Sequence, residues 1–297
     1  AHGFDAQRND DFHNALHVLL TGETDAYYAD YAKNPTEQLA RCLSQGFVFQ
    51  GHLNRHGQAR GEPSGHLPPS AFVLFLQNHD QIGNRAFGER LHQLAHPDAL
   101  KAATALLLLS PMIPLMFMGD EFAAEQPFLF FTSHHGELAR LVREGRRNEF
   151  AAFSAFADPH QRERIPDPNA PQTFEASRPT LTVNGASAMH EFYRQLLQIR
   201  HRHIVPHLPG TRARNAQVLG FGAVSASWCL GDGSELRIDL NLSDTPVCHV
   251  PQVDASLLFE HPPGSGQRLD QGTLPPYCAI VSLTAAAPLL HLDGERQ

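Results

Sequence analysis

The chain has 297 residues, 42% hydrophobic and 18% charged, which provides for a buried core and excludes a disordered or fibrous polymer. Its formal net charge of −8 comes without a lysine or arginine run, so a nucleic acid or an anionic membrane is excluded as partner and a neutral or polar ligand is favoured. Four cysteines form no CxxC pair, no basic-then-apolar leader opens the sequence, and the nineteen histidines show no pair at zinc-ligand spacing beside Cys or Glu; a cytoplasmic location without a metal is expected.

The sequence opens on Ala1, not Met, and a truncated or processed start is expected. From Phe12 to Leu20 apolar residues fall at helical spacing, with Asp10 and Asp11 before them as N-cap and first-turn acids. Gln50 to Pro69 is rich in Gly, Pro, His and Arg without periodicity and reads as a long exposed loop. Phe72 to Gln77 is a continuous apolar run, the pattern of a strand buried on both faces, and it ends at Asn78-His79-Asp80-Gln81.

After Pro97, Ala99 to Leu109 is built of helix formers, and Pro114 to Met118 repeats the buried-strand pattern. Strand, helix, strand predicts a βαβ unit with a parallel sheet. The run from Ala102 to Met118 is broken by Ser110, Pro111 and Pro114, which argues against a membrane span. Phe122 to Thr180 mixes aromatics, prolines and charges, as a loop region over an active-site face does, and Ala188 to Arg202 is helical in pattern. Beyond Ile204, Leu236, Ile238, Leu240 and Leu242 alternate with polar residues between turn signals, which predicts an antiparallel β domain.

Ligand-facing residues in parallel α/β folds sit at the carboxyl ends of strands, which makes Asp80 a catalytic candidate. From spacing alone, an acidic helix cap beside a histidine explains it equally well. The segment Phe72 to Arg90, FVLFLQNHDQIGNRAFGER, resembles the seventh-strand region of α-amylase-family glycoside hydrolases, and its Gln81-to-Arg85 extension resembles the trehalohydrolases among them. Further segments agree in order. FDAQRNDDFHNALHVLL from Phe4 is similar to the sixth strand and its loop, and SPMIPLMFMGDE from Ser110 to the eighth strand. Phe128 to Phe131, VREGRRNEF from Val142 and Ile165 to Pro168 resemble trehalohydrolase segments, and LPPYCAIVSL from Leu274 a closing strand of the C-terminal β domain.

The resemblance implies an α/β plus β chain. The C-terminal part of a (β/α)8 barrel, about strands 6–8, is expected over residues 1–205, and a small antiparallel β-sandwich domain over 206–297. It implies release of trehalose from maltooligosyltrehalose by cleavage of the adjacent α-1,4 bond, with no cofactor. Rival readings are a branching enzyme or other α-glucan enzyme, and a glucan-binding module without catalysis; oligomeric state is not legible. Retaining glycosidases use two carboxyl groups about 5 Å apart and an oxocarbenium-like transition state. Asp80 matches the family's third carboxylate, which grips sugar hydroxyls, and His79 a donor to the same sugar.

Asp10, Asp11, Phe12 and His13 are expected to face the sugar from the other side, Phe12 with its ring; capping by the acids and core packing by Phe12 are the structural alternatives. Asn14 stands where the family pattern has a second histidine. Gln81, Ile82, Gly83, Asn84 and Arg85 complete the expected binding set, Gly83 giving the loop its turn and Arg85 pairing with a carboxylate. Asp120 and Glu121 end the eighth-strand segment, with a structural role at the barrel rim or a substrate contact as alternatives, and Phe130 and Phe131 are either a sugar platform or core. The family's nucleophile and general acid lie N-terminal to the sixth-strand segment, so the resemblance places both outside this chain, with Asp5 rejected as nucleophile. A partial gene product is therefore expected, or a split protein completed by another chain.

Overall fold

Short parallel strands alternating with helices fill the first half of the computed structural model, which describes residues 3–54, 56–152, 156, 158–180, 188–251 and 254–286. Strand β1 (Gln7–Arg8) runs into helix α1 (Asp10–Thr21). The cap is Asn9, whose side chain accepts the Phe12 N–H at 3.1 Å; of the N-cap and first-turn roles expected for Asp10 and Asp11, both residues take the first turn, where acids favour the helix dipole. Gly22 closes the helix in the left-handed conformation, its N–H on Val18 O at 2.9 Å.

Helix α2 (Pro35–Gln45) follows, with Pro35 in the first turn. Within the expected loop, β2 (His52–Leu53) and β3 (Ala59–Arg60) pair as a small antiparallel hairpin with exposed residues. The chain then builds β4 (Phe72–Leu74), α3 (His79–Gly83), α4 (Pro97–Leu109) and β5 (Ile113–Pro114). The sheet order is β1-β4-β5 and every pairing is parallel.

Both apolar runs pair over fewer residues than they predict, because apolarity reports burial and not backbone pairing. Phe75 and Leu76 are buried beyond the end of β4. Pro114 has no N–H to give the ladder, and Leu115 N–H makes the last bond, to Leu74 O at 2.8 Å. Leu115 to Phe117 are only half-buried and Met118 is exposed, so the expected strand from Pro114 to Met118 is cut short.

The region expected as loop carries helices α5 (Gly136–Glu149), α6 (Pro159–Glu163) and α7 (Pro171–Ala176). Helix α8 (Ala188–His203) matches the predicted one. Its Arg200 is buried and donates to the carbonyls of Leu108 at 3.0 Å, Ser110 at 2.6 Å and Met112 at 2.7 Å, tying α8 to the α4–β5 connection.

Strands β6 (Arg212–Gly220), β7 (Ala223–Cys229) and β8 (Glu235–Asn241) come next, then β9 (Val247–Cys248) and β10 (Ser256–His261). Helix α9 (Ser265–Asp270), β11 (Thr273–Leu274) and β12 (Cys278–Thr284) finish the described chain. Five of these strands form an antiparallel sheet in the order β10-β12-β8-β7-β6, and β9 pairs with β11. The period of two along β8 divides the sheet's faces. Leu236, Ile238 and Leu240 join Trp228 and Val281 in one buried cluster with Leu39 and Leu43 of α2 and Leu106 of α4. On the opposite face Leu269, Leu274, Cys278 and Ile280 form a second, smaller cluster.

One close approach fixes the seat of α2 on β4. Gly46, which caps α2, has φ of 91°, and a Cβ there would stand 2.2 Å from the Phe72 ring. Gly46→Ala is expected to cost about 2–4 kcal/mol, since it adds left-handed strain to overpacking of a buried aromatic. A urea midpoint equal to that of the parent would show that Phe72 moves aside freely.

Candidate functional site

The carboxyl ends of β1 and β4 lie side by side, with Gln7 opposite Phe72 and Arg8 opposite Val73. Each strand runs into a helix whose first turn carries acid: Asp10 and Asp11 after β1, Asp80 after β4. The turn after β4 is a capping box. Asn78 accepts the Asp80 N–H on its side chain at 2.8 Å, and Gln81 Oε1 accepts the Asn78 N–H at 3.1 Å. The Asp80 carboxylate is left free of the cap and 46% exposed, 3.3 Å from Arg8 Nη1 and 3.2 Å from His79 Nε2. Loss of water holds the Asp10 carboxyl above the usual carboxylate range; Arg8 opposes this, and the charges of Asp11 and Asp80 add to it.

Asp10 and Asp80 open onto a cleft of about 840 Å3. Asp10, Asn14, Asp80, Gln81, Asn84 and Arg85 of the expected set line it. The segment from Gly22 to Tyr31 supplies a further wall, with Glu23, Asp25, Tyr27, Tyr28 and Asp30, joined by Arg60, Phe87 and Glu89. Carboxylates outnumber guanidinium groups, and tyrosine and phenylalanine rings stand among them. Such a lining repels anions and suits a neutral, hydroxyl-rich ligand with apolar ring faces.

Arg85 is held by carboxylates as expected. Its Nη1 and Nη2 reach Glu23 at 2.7 and 2.9 Å, and its Nε reaches Glu89 at 3.3 Å. Glu23 also receives His17 Nε2 at 2.7 Å. The His17 bond first, and Arg85 second, bring the Glu23 carboxyl down to about 2, so the pair stays ionised at neutral pH.

Other members of the expected set point elsewhere. Phe12 is 0% exposed and belongs to the core, so it presents no ring to a sugar. Asp11 is buried, and its oxygens are occupied by the Tyr31 hydroxyl, the N–H groups of Val48 at 2.8 Å and Phe49 at 3.3 Å, and Arg60 at 3.2 Å. It anchors loops rather than meeting ligand. His13 Nδ1 lies 2.6 Å from Leu76 O; a carbonyl only accepts, so Nδ1 carries the proton and Nε2 is left to accept from the Tyr28 hydroxyl at 3.4 Å. Burial pushes the His13 pKa down to about 3, and the ring is neutral.

Ile82 is buried. Gly83 is helical without a positive φ, and a Cβ there would meet only Phe128 at an ordinary 3.8 Å, so no turn requires glycine. Its carbonyl accepts Arg146 Nη2 at 2.7 Å. His79 is exposed beside Asp80. Phe131 packs edge-on to Phe128 and Phe174, and Phe130 lies under the Arg146 guanidinium; neither lines the cleft.

Known proteins supply a second line of observation. Residues 211–281 match a family model described as a domain of unknown function, DUF3459. The malto-oligosyltrehalose trehalohydrolase of Brevibacterium helvolum is 35% identical over 298 residues, 96% of this chain and 46% of that protein. That of Deinococcus radiodurans is 43% identical over 204 residues, 67% of this chain and 33% of that protein. This chain belongs to the trehalohydrolase family. It spans less than half the length of these relatives. The crystal structure of a putative alpha amylase from Salmonella typhimurium is 44% identical and superposes with a TM-score of 0.83, over 95% of this chain and 47% of that one.

The acids that follow β5 in this family member serve the fold. Asp120 is largely enclosed, its side chain 10% exposed, and it accepts Gln77 Nε2 at 2.6 Å and the Phe117 N–H at 3.0 Å, with Arg90 at 4.0 Å. Glu121 accepts the Gly119 N–H at 3.1 Å. Burial pushes the Asp120 carboxyl up to about 6 against these favourable contacts. A carboxyl with a raised native pKa stabilises the fold while it is protonated. The contribution is full below about pH 4, the unfolded value, and is lost as pH rises through about 6. Between those limits the urea midpoint of the parent should fall with pH, and Asp120→Asn should flatten that part of the curve. An unchanged slope in the variant would assign the titration to another group.

The wall from Gly22 to Tyr31 is absent from the expected set. A signal for it is present in the sequence: beyond Gly22, Glu23, Asp25, Tyr27, Tyr28, Asp30 and Tyr31 put acids and tyrosines together in nine residues.

Proposed function

We propose that this chain forms one side of the active cleft of a retaining α-glycosidase that releases trehalose from maltooligosyltrehalose by cleaving the adjacent α-1,4 bond. The observation that carries this reading is Asp80: a half-exposed carboxylate in the first turn after a parallel strand, beside Asp10 in an acid-rich cleft, in a chain of the trehalohydrolase family. In this reading β1, β4 and β5 are the sixth, seventh and eighth strands of a (β/α)8 barrel whose loops face the cleft. Residues 1–205 then serve catalysis and 206–297 form a β domain.

Asp80 grips hydroxyls of the sugar whose bond breaks, and its charge favours the oxocarbenium-like transition state. His79 donates to the same sugar, and Asp10 and Asn14 receive hydroxyls on the facing side. The nucleophile and the general acid are assigned to the part of the relatives' length that this chain does not span, so the chain alone should bind glucan without turnover.

The test compares products from maltooligosyltrehalose and from plain maltooligosaccharide, using this chain and the product of the complete gene. Trehalose from the first substrate, made only by the complete product, is the expected result. Turnover by the chain alone would mean that its own residues include the nucleophile and acid. Branched glucan or binding without turnover from the complete product would favour a branching enzyme or a binding module.

A further inference from the structure

Nearly every side chain of the cleft wall that has a described contact is tied inward. Glu23 is clasped by Arg85 and by the buried His17. The Tyr28 ring stacks on His17 with centroids 4.1 Å apart, and its hydroxyl faces His13. Tyr31 is buried on Asp11. Between these anchors Ala26 takes a φ of 51°, a left-handed conformation that alanine rarely adopts and that persists only where the surroundings enforce it. The residue that follows, Tyr27, is left 63% exposed and lines the cleft.

We propose that Tyr27 is a sugar-stacking residue of the cleft, and that the Glu23–Arg85 clasp is the positioning pair that holds its wall against the Asp80 side. A pyranose has an apolar face of C–H groups, and an exposed phenol ring held on strained, well-anchored backbone offers a flat partner at little cost in ordering. The clasp joins the end of the helix that starts with Asp10 to the end of the helix that carries Asp80. It therefore sets the spacing between the ring and the two acids. This assignment rests on the glucan-cleaving reading above and adds a contact to it.

The experiment measures KM and kcat for maltooligosyltrehalose with the product of the complete gene, together with inhibition by free trehalose. Tyr27→Ala should raise KM about tenfold, the loss of one stacked ring, while Tyr27→Phe should restore it. Glu23→Gln and Arg85→Met should raise KM more than they lower kcat, and should speed chymotrypsin cleavage after Tyr27 or Tyr28, a readout independent of activity. A parent KM in Tyr27→Ala, or Tyr27→Phe as poor as the alanine variant, overturns the stacking role. Unaltered cleavage and KM in both clasp variants overturns the positioning role. Absence of trehalose release from the parent would instead overturn the functional reading, and this inference with it.

Discussion

Asp80→Asn is expected to lower kcat/KM of the complete gene product for maltooligosyltrehalose by about 10³-fold, the scale seen when one preorganised charge-stabilising group is removed from an active site. Most of the loss should appear in kcat, because the contact strengthens as positive charge develops on the sugar ring. The fold should barely notice. The cap of α3 is made by Asn78 and Gln81, with Asp80 contributing its backbone N–H and not its carboxylate. The carboxylate's own partners are His79 at 3.2 Å and Arg8 at 3.3 Å, the latter a half-exposed ion pair of the kind that contributes about 0–1 kcal/mol. An Asp80→Asn enzyme within tenfold of the parent, with an equal thermal midpoint, would remove Asp80 from catalysis and leave it as a first-turn acid.

Arg200→Met should have the largest effect on stability, about 3–5 kcal/mol, as expected for removing one partner of a buried charged network. Helices end with carbonyls that lack intrahelical donors. Here the carbonyls of Leu108, Ser110 and Met112 converge on one guanidinium from a helix some ninety residues later. Burial alone brings the Arg200 pKa down to about 10, which leaves the group charged at neutral pH with backbone oxygens as its ligands. Methionine fills the volume but strands all three carbonyls. Arg200→Lys, with a single point charge in place of the fork, should recover part of the loss. A urea-derived loss below about 1 kcal/mol for Arg200→Met would mean that water replaces the guanidinium without strain.

Periodicity in the sequence located the elements better than it located the site. The apolar spacing from Phe12 to Leu20, the helix formers after Pro97 and the alternation from Leu236 to Leu242 correspond to α1, α4 and β8. Those patterns are local, and local sterics and burial decide them. A family motif, by contrast, says which residues recur together and not which way each side chain faces. Asp11, Phe12 and His13 share a stretch with Asp10 and Asn14, yet the helix turns the first three into the core and the other two toward the cleft. The wall from Gly22 to Tyr31 escaped notice for a different reason. Its geometry depends on Arg85, 62 residues away, and no short window of sequence contains both ends of that contact.

The shared core has a consequence for dissection of this protein. The stretch matched by a domain-family model, residues 211–281, presents Trp228, Leu236, Ile238, Leu240 and Val281 to α2 and α4, and the Trp228 indole donates to Leu43 O at 3.2 Å. Cut out at that boundary, the sheet would carry a continuous greasy face into water and tend to self-associate. The matched range ends inside this core and not at its edge, so heat should melt the sheet together with α2 and α4.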